Sequence, residues 1–154
     1  IPDECCFLIV GEGSEKKKLE RIVIKANSKN IIFKSFISLE EYPALVKDVN
    51  AGIVCLDKRL TTPVVPGKLL GFMASSLPII AFLNKESDGH KIIKEAKCGL
   101  SIDANSSPND IIRLFLDIYN NKRSLKKMGC NGYQYVSKHY NKNECLKSIK
   151  KIIS

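Results

Sequence analysis

The sequence has no tryptophan, only two histidines and no run of apolar residues near the ~18–20 that cross a bilayer. Each lack removes a class of function. Five tyrosines and six phenylalanines are not interleaved with a basic stripe, so there is no platform for stacking nucleic-acid bases, and no nucleic-acid partner is expected. His90 and His139 stand at no zinc-ligand spacing from Cys5, Cys6, Cys55, Cys98, Cys130 or Cys145, and no Cys-x-x-Cys pair occurs, so no metal is expected. Several of these cysteines lie in apolar runs, where a thiol behaves as a small hydrophobe; they read as reduced thiols of a cytoplasmic protein rather than a disulfide framework. There is no Gly-x-Ser-x-Gly nucleophile elbow. The chain opens on Ile1 with neither an initiator methionine nor a signal peptide, and is read as a piece of something longer.

Acidic residues are also scarce, and unevenly so. The net charge is +9, from 25 basic and 16 acidic side chains. Within residues 118–154 the basic residues are Lys122, Arg123, Lys126, Lys127, Lys138, Lys142, Lys147, Lys150 and Lys151, and Glu144 is the one acid, which places nearly the whole excess there. Such a tail suits peripheral contact with an anionic membrane surface, or is a solvated helical face.

What is present is an alternation of apolar runs and amphipathic segments in 154 residues, enough for one domain with a core of its own. Apolar runs at 5–10, 30–34, 51–56, 77–83 and 100–103 predict strands, and the stretches between them predict helices. Residues 14–28 place Leu19, Ile22, Val23 and Ala26 on one face, with Lys16, Lys17 and Lys18 as the wet face. Ser38-Leu-Glu-Glu41 is a capping box, with Pro43 in the first turns of the helix it opens. Ser107 precedes a proline at the first helical position, and Asn141 to Glu144 is a second box. Strands separated by helices predict an α/β fold, a Rossmann-like parallel sheet with helices on both faces and a helical C-terminus. Ligands of such folds bind at the C-terminal strand ends, where Gly11-Glu-Gly13, residues 35–38, 56–67 and 84–89 fall.

Residues 66–82 are the most informative stretch: a loop with glycine and lysine, a short helix, then a buried strand. Unpaired N–H groups and the dipole at a helix start favour a phosphate. Gly67-Lys68 is not a Walker loop, because Thr62 stands where its first glycine belongs and Leu69 replaces the Ser/Thr that holds magnesium. Gly11-x-Gly13 is not a dinucleotide fingerprint, because the third glycine position is Lys16; it is a tight turn beside which a ligand can approach the backbone. Asp88-Gly89-His90 has no partner nucleophile and reads as a turn into a helix.

Pro66-Gly67-Lys68-Leu69 followed by Gly71-Phe-Met-Ala-Ser-Ser-Leu-Pro78-Ile-Ile-Ala resembles the donor segment of retaining glycosyltransferases of family 4, whose two Rossmann-like domains form the GT-B arrangement. Within that family it is most similar to bacterial polysaccharide transferases with Pro-Ser-Lys-Leu before the helix. Residues 7–13, 30–42, Cys98-Gly99-Leu100 and Met128-Gly129 resemble further landmarks of the nucleotide-sugar domain, in the same order. The family's Glu-x7-Glu positions are Pro63 and Gly71 here, so both carboxylates are absent; in the family the first contacts the transferred sugar and the second the ribose.

The resemblance implies one donor-binding domain over residues 1–154, with a first strand and an acceptor domain expected before Ile1. It implies a nucleotide-sugar substrate, UDP-linked on family frequency, and no cofactor. Diphosphate and sugar would meet Val65, Pro66, Gly67, Lys68 and Leu69; the ribose would lie near Gly71, the base near Phe36, Ile37 and Ser38, and the ligand-edge turn would be Gly11 and Gly13. The implied activity is sugar transfer to a glycan or lipid-linked acceptor in surface polysaccharide synthesis, at the inner face of the membrane, with the chain inactive on its own. Two alternatives stand beside it. One is a GT-B nucleotide-sugar epimerase domain. The other is a non-enzymatic regulatory domain such as a receiver, for which Asp57 follows an apolar strand but Asp3-Glu4 precedes its strand rather than following it.

Overall fold

The computed structural model describes residue 2 and residues 4–153; Ile1 and Asp3, which entered the sequence reading, lie outside the described residues. The element order is β1 (Phe7–Val10), α1 (Lys16–Lys25), β2 (Ile31–Lys34), α2 (Tyr42–Asp48), β3 (Gly52–Cys55), α3 (Gly67–Ala74), β4 (Ile79–Leu83), α4 (Gly89–Ala96), β5 (Gly99–Asp103), α5 (Pro108–Asn120), α6 (Lys122–His139) and α7 (Lys142–Ile153). All strand pairs are parallel, as the alternation of strands and helices predicts. The ladders form two sheets, β1-β2 and β3-β4-β5, where the sequence led us to expect one. The chain divides into two compact units at the same place, between Leu45 and Val46 within α2.

The first unit is thin. Its strands are four residues each, paired Phe7 to Ile31 through Val10 to Lys34, and none of its described residues is buried. Two short strands and a helix enclose too little volume for a core. Its order comes from local bonds. Ser38 and Glu41 cap each other reciprocally, the Ser38 N–H donating to Glu41 Oε2 (3.0 Å) and the Glu41 N–H to Ser38 Oγ (3.2 Å). That arrangement is the expected capping box, and it holds the turn before α2.

The second unit carries the core. β4 lies between β3 and β5, in register from Gly52 to Ile79 and from Ile79 to Gly99, and is almost wholly buried. Leu69 and Met73 of α3 and Ile92 and Ile93 of α4 pack against Ile79, Ala81 and Leu83. The predicted caps form: Ser107 Oγ accepts from the Asp110 N–H (3.2 Å), with Pro108 opening α5, and Asn141 Oδ1 accepts from the Glu144 N–H (3.0 Å) before α7.

Two backbone details decide how α3 and α6 fit. The chain leaves α3 through Ser76 in the left-handed conformation (φ 57°), and the Leu77 N–H reaches back to the Phe72 carbonyl (2.9 Å). This closure normally uses glycine, since a Cβ makes the left-handed state costly. Gly129 of α6 then lies directly on that turn: a Cβ there would sit 1.9 Å from the Ser76 carbonyl oxygen. Chemical denaturation is therefore expected to show opposite effects at neighbouring sites. Ser76→Gly raises stability by about 1 kcal/mol through relief of the strained φ, and Gly129→Ala lowers it by on the order of 3 kcal/mol because backbone must move.

Candidate functional site

In the first unit, Gly11 follows β1 and Phe36, Ile37 and Ser38 follow β2, so the parallel pair places both segments at its C-terminal end. Gly11 adopts φ 135°, which a side chain rarely tolerates, while its N–H donates to the Lys34 carbonyl (3.2 Å). Between Gly11 and Gly13, the carboxyl of Glu12 is held below its usual range, first by the Lys16 ammonium at 2.8 Å and then by the Ser35 hydroxyl and the Phe36 N–H. Phe36 is 75% exposed. Ile37 is half-buried, and Ser38 commits its N–H and one oxygen lone pair to the capping box.

In the second unit, the loop after β3 leads to the start of α3. Pro66 is extended (φ −62°, ψ 127°) and no side chain caps the helix. Leu69 is fully buried and its N–H donates to the Pro66 carbonyl (2.9 Å). Proline has no N–H to offer. The five-residue segment predicted to meet the diphosphate therefore narrows: Val65, Gly67 and Lys68 carry N–H groups that bond to no described residue, and Gly67 and Lys68 are exposed. The Lys68 ammonium lies close enough to the end of β3 to act on Cys55. Desolvation of the sulfur pushes that thiol up, and Lys68 opposes the shift. Gly71 is exposed one turn later, with open space where a Cβ would stand.

Sequence reading missed what holds this loop. Asn84 and Ser87, just after β4, are the buried polar side chains of the second unit's described residues. Asn84 Nδ2 donates to the Asp57 carbonyl (3.0 Å) and to the Leu60 carbonyl, and Ser87 Oγ donates to the Val64 carbonyl (2.6 Å). Two polar residues directly after a continuous apolar strand are the available signal, since buried polar side chains are retained where they have partners. Beside them, Lys58, Thr61, Asn84, Lys85, Asp103 and Asn105 line a cleft of about 420 Å³ at the C-terminal ends of β3, β4 and β5. A second cleft, of about 360 Å³, lies along α4 and α6. Neither is lined by residues 65–69.

Other candidates have structural partners. His90 Nδ1 pairs with Ser101 Oγ (2.8 Å), joining α4 to β5. Asp57 forms an ion pair with Arg59 (2.6 Å), whose guanidinium and backbone N–H hold its carboxyl far below the usual range.

With the geometry in place, comparison with known proteins identifies the class. A family model described as "Glycosyl transferases group 1" matches residues 2–135. An uncharacterized glycosyltransferase of Methanocaldococcus jannaschii is 27% identical over 95% of this chain and 39% of its own length. The UDP-glycosyltransferase TURAN of Arabidopsis thaliana is 27% identical over 68% of this chain and 22% of its own length. The crystal structure of the C-terminal domain of a glycosyl transferase group 1 family protein (LpcC) from Francisella tularensis superposes with a TM-score of 0.63, at 27% identity over 82% of this chain and 63% of that one. The chain thus spans well under half the length of both curated relatives.

The open space at Gly71 yields a test of local structure. Gly71→Ala should raise stability by about 0.5–1 kcal/mol, read from the urea midpoint, because the unfolded chain has less backbone entropy to lose on folding and nothing clashes. A loss of stability would show that this turn of α3 is more crowded than its geometry indicates.

Proposed function

The chain belongs to the glycosyl transferases group 1 family, and we propose that it is the donor-binding domain of a retaining GT-B transferase. In this reading the whole protein moves a sugar from a nucleotide diphosphate to a glycan or lipid-linked acceptor. The start of α3 carries the proposal: unpartnered N–H groups at Gly67 and Lys68, with an exposed ammonium beside them. Such N–H groups, the helix dipole and a lysine point charge all favour an anion. During transfer the bond between the anomeric carbon and the diphosphate oxygen breaks, and its electron pair goes to the diphosphate. The acceptor oxygen forms the new glycosidic bond as its proton is released. Charge grows on the leaving diphosphate, and donors fixed there beforehand lower the barrier. The helix start and Lys68 supply that neutralisation, so the step asks for no metal.

Membership of a transferase family favours transfer over epimerisation. A UDP-linked donor is supported by family frequency and by the relative described as a UDP-glycosyltransferase. Of the segment from Val65 to Leu69, the backbone donors of Val65, Gly67 and Lys68 are proposed for the diphosphate and sugar, with Gly71 for the ribose region; within the first unit, Phe36, Ile37 and Ser38 are proposed for a nucleobase, and Gly11 and Gly13 as the turn near its ligand edge. The missing Pro63 and Gly71 carboxylates leave recognition to backbone donors and Lys68. A further first strand and an acceptor domain, expected ahead of this chain, complete the enzyme in this reading. Its setting is cytoplasmic surface-polysaccharide synthesis, and this chain alone transfers no sugar.

Calorimetric titration with UDP, GDP and their sugars tests the reading. Lys68→Ala should weaken diphosphate binding by about 10- to 150-fold, the equivalent of about 1.5–3 kcal/mol for a charge-assisted contact. Unchanged affinity removes Lys68 from the site. Sugar transfer by the isolated chain contradicts its assignment as the donor half alone.

A further inference from the structure

Val65, Gly67 and Lys68 carry N–H groups that bond to no described residue. Gly67 and Lys68 belong to α3, and the helix fixes how their N–H groups point. Val65 precedes the helix, so its N–H is aimed by something else. No cis peptide bond occurs among the described residues, so the Val64–Val65 peptide is trans. A planar trans peptide holds its C=O and N–H on opposite sides. Whatever grips the Val64 carbonyl therefore sets the direction of the Val65 N–H. That grip is Ser87 Oγ, which donates to this carbonyl at 2.6 Å from 23 residues along the chain.

Ser87 is itself fixed. It is 4% exposed, its N–H donates to the Asn84 carbonyl (2.9 Å), and its carbonyl accepts from the His90 N–H (3.3 Å). A hydroxyl has one proton to donate, and Ser87 commits it to Val64 while Oγ accepts from the Gly89 N–H (3.2 Å). Gly89 keeps the space clear: a Cβ there would stand 3.1 Å from Ser87 Oγ and 3.6 Å from Pro66 Cδ. Asn84 already ties the same loop at Asp57 and Leu60. What Ser87 adds is the orientation of one peptide, directly before Pro66.

We propose that Ser87 is a positioning residue for donor binding, an inference that rests on the donor reading of this segment: by holding the Val64 carbonyl inward, it turns the Val65 N–H toward the diphosphate. Ser87 meets no reacting atom and acts only through the peptide that it grips.

Amide spectra of the chain, with and without UDP, are the test. In Ser87→Ala without nucleotide, the Val65 amide should move and broaden. At saturating UDP its response should be lost, and affinity should fall about 3- to 10-fold, less than for Lys68→Ala because the donor is misaimed rather than removed. Ser87→Thr keeps the hydroxyl and should restore the wild-type Val65 response. Ser87→Cys, similar in shape with a weak donor, replaces Ser87→Ala if that variant does not fold. His90→Ala breaks the 2.8 Å bond to Ser101 that anchors α4 elsewhere, and should lower the melting temperature without altering Val65. If the wild-type amides of Gly67 and Lys68 ignore UDP, the donor reading fails and the proposal falls with it. If those amides respond but Val65 of Ser87→Ala matches wild type with and without UDP, the proposal alone is overturned. An equal change at Val65 in His90→Ala also overturns it, because Ser87 would then only support the fold.

Discussion

α3 is held at both ends, and the candidate site depends on that. At its start, Leu69 is sealed into the core and ties its N–H to Pro66, while the N–H groups of the exposed Gly67 and Lys68 before it bond to no described residue. At its end, the left-handed Ser76 closes the helix and Gly129 of α6 presses on the closing carbonyl. Phe72 covers Gly52 of β3, where a Cβ would meet its ring at 2.4 Å. The proposed phosphate cradle, made from backbone donors, works only if the backbone cannot drift, and burial of Leu69 and Met73 in the core holds this helix in place.

The loop that feeds α3 is fixed by a different device. Asn84 and Ser87 reach back from the end of β4 to the carbonyls of residues 57, 60 and 64. Their partners lie 23 to 27 residues away in sequence. The Asn84 amide N–H groups and the Ser87 hydroxyl specify one loop conformation, because leaving such buried donors unpaired costs about 1–3 kcal/mol each, while Asn84 Oδ1 is buried without a partner among the described residues. Asn84, one of the two side chains that hold the loop, also lines the cleft at the strand ends.

Much of this was legible in the sequence because it is local. The capping box at Ser38, the caps at Ser107 and Asn141 and the strand-helix alternation depend on neighbours a few residues apart, and all appear where expected, although at Asn141 only the Glu144 N–H half of the expected box forms because the Glu144 carboxylate pairs with Lys147. Gly71 and Gly67-Lys68 fell on the predicted helix and at its start. What stayed hidden depends on partners far along the chain. Nothing local says that the strands pair as two sheets, or that Gly129 must be bare because a carbonyl lies against it. Ser76 carries no local sign of its left-handed turn, because propensity alone favours glycine there.

The central claim is that the start of α3 receives a diphosphate. The most direct measurement is an amide chemical-shift titration of the chain with UDP. The amides of Gly67 and Lys68, which bond to no described residue, should shift most within the second unit, and in a saturable manner. Saturable shifts that spare Gly67 and Lys68 and gather elsewhere in that unit, such as around Tyr135 along α6, would contradict it.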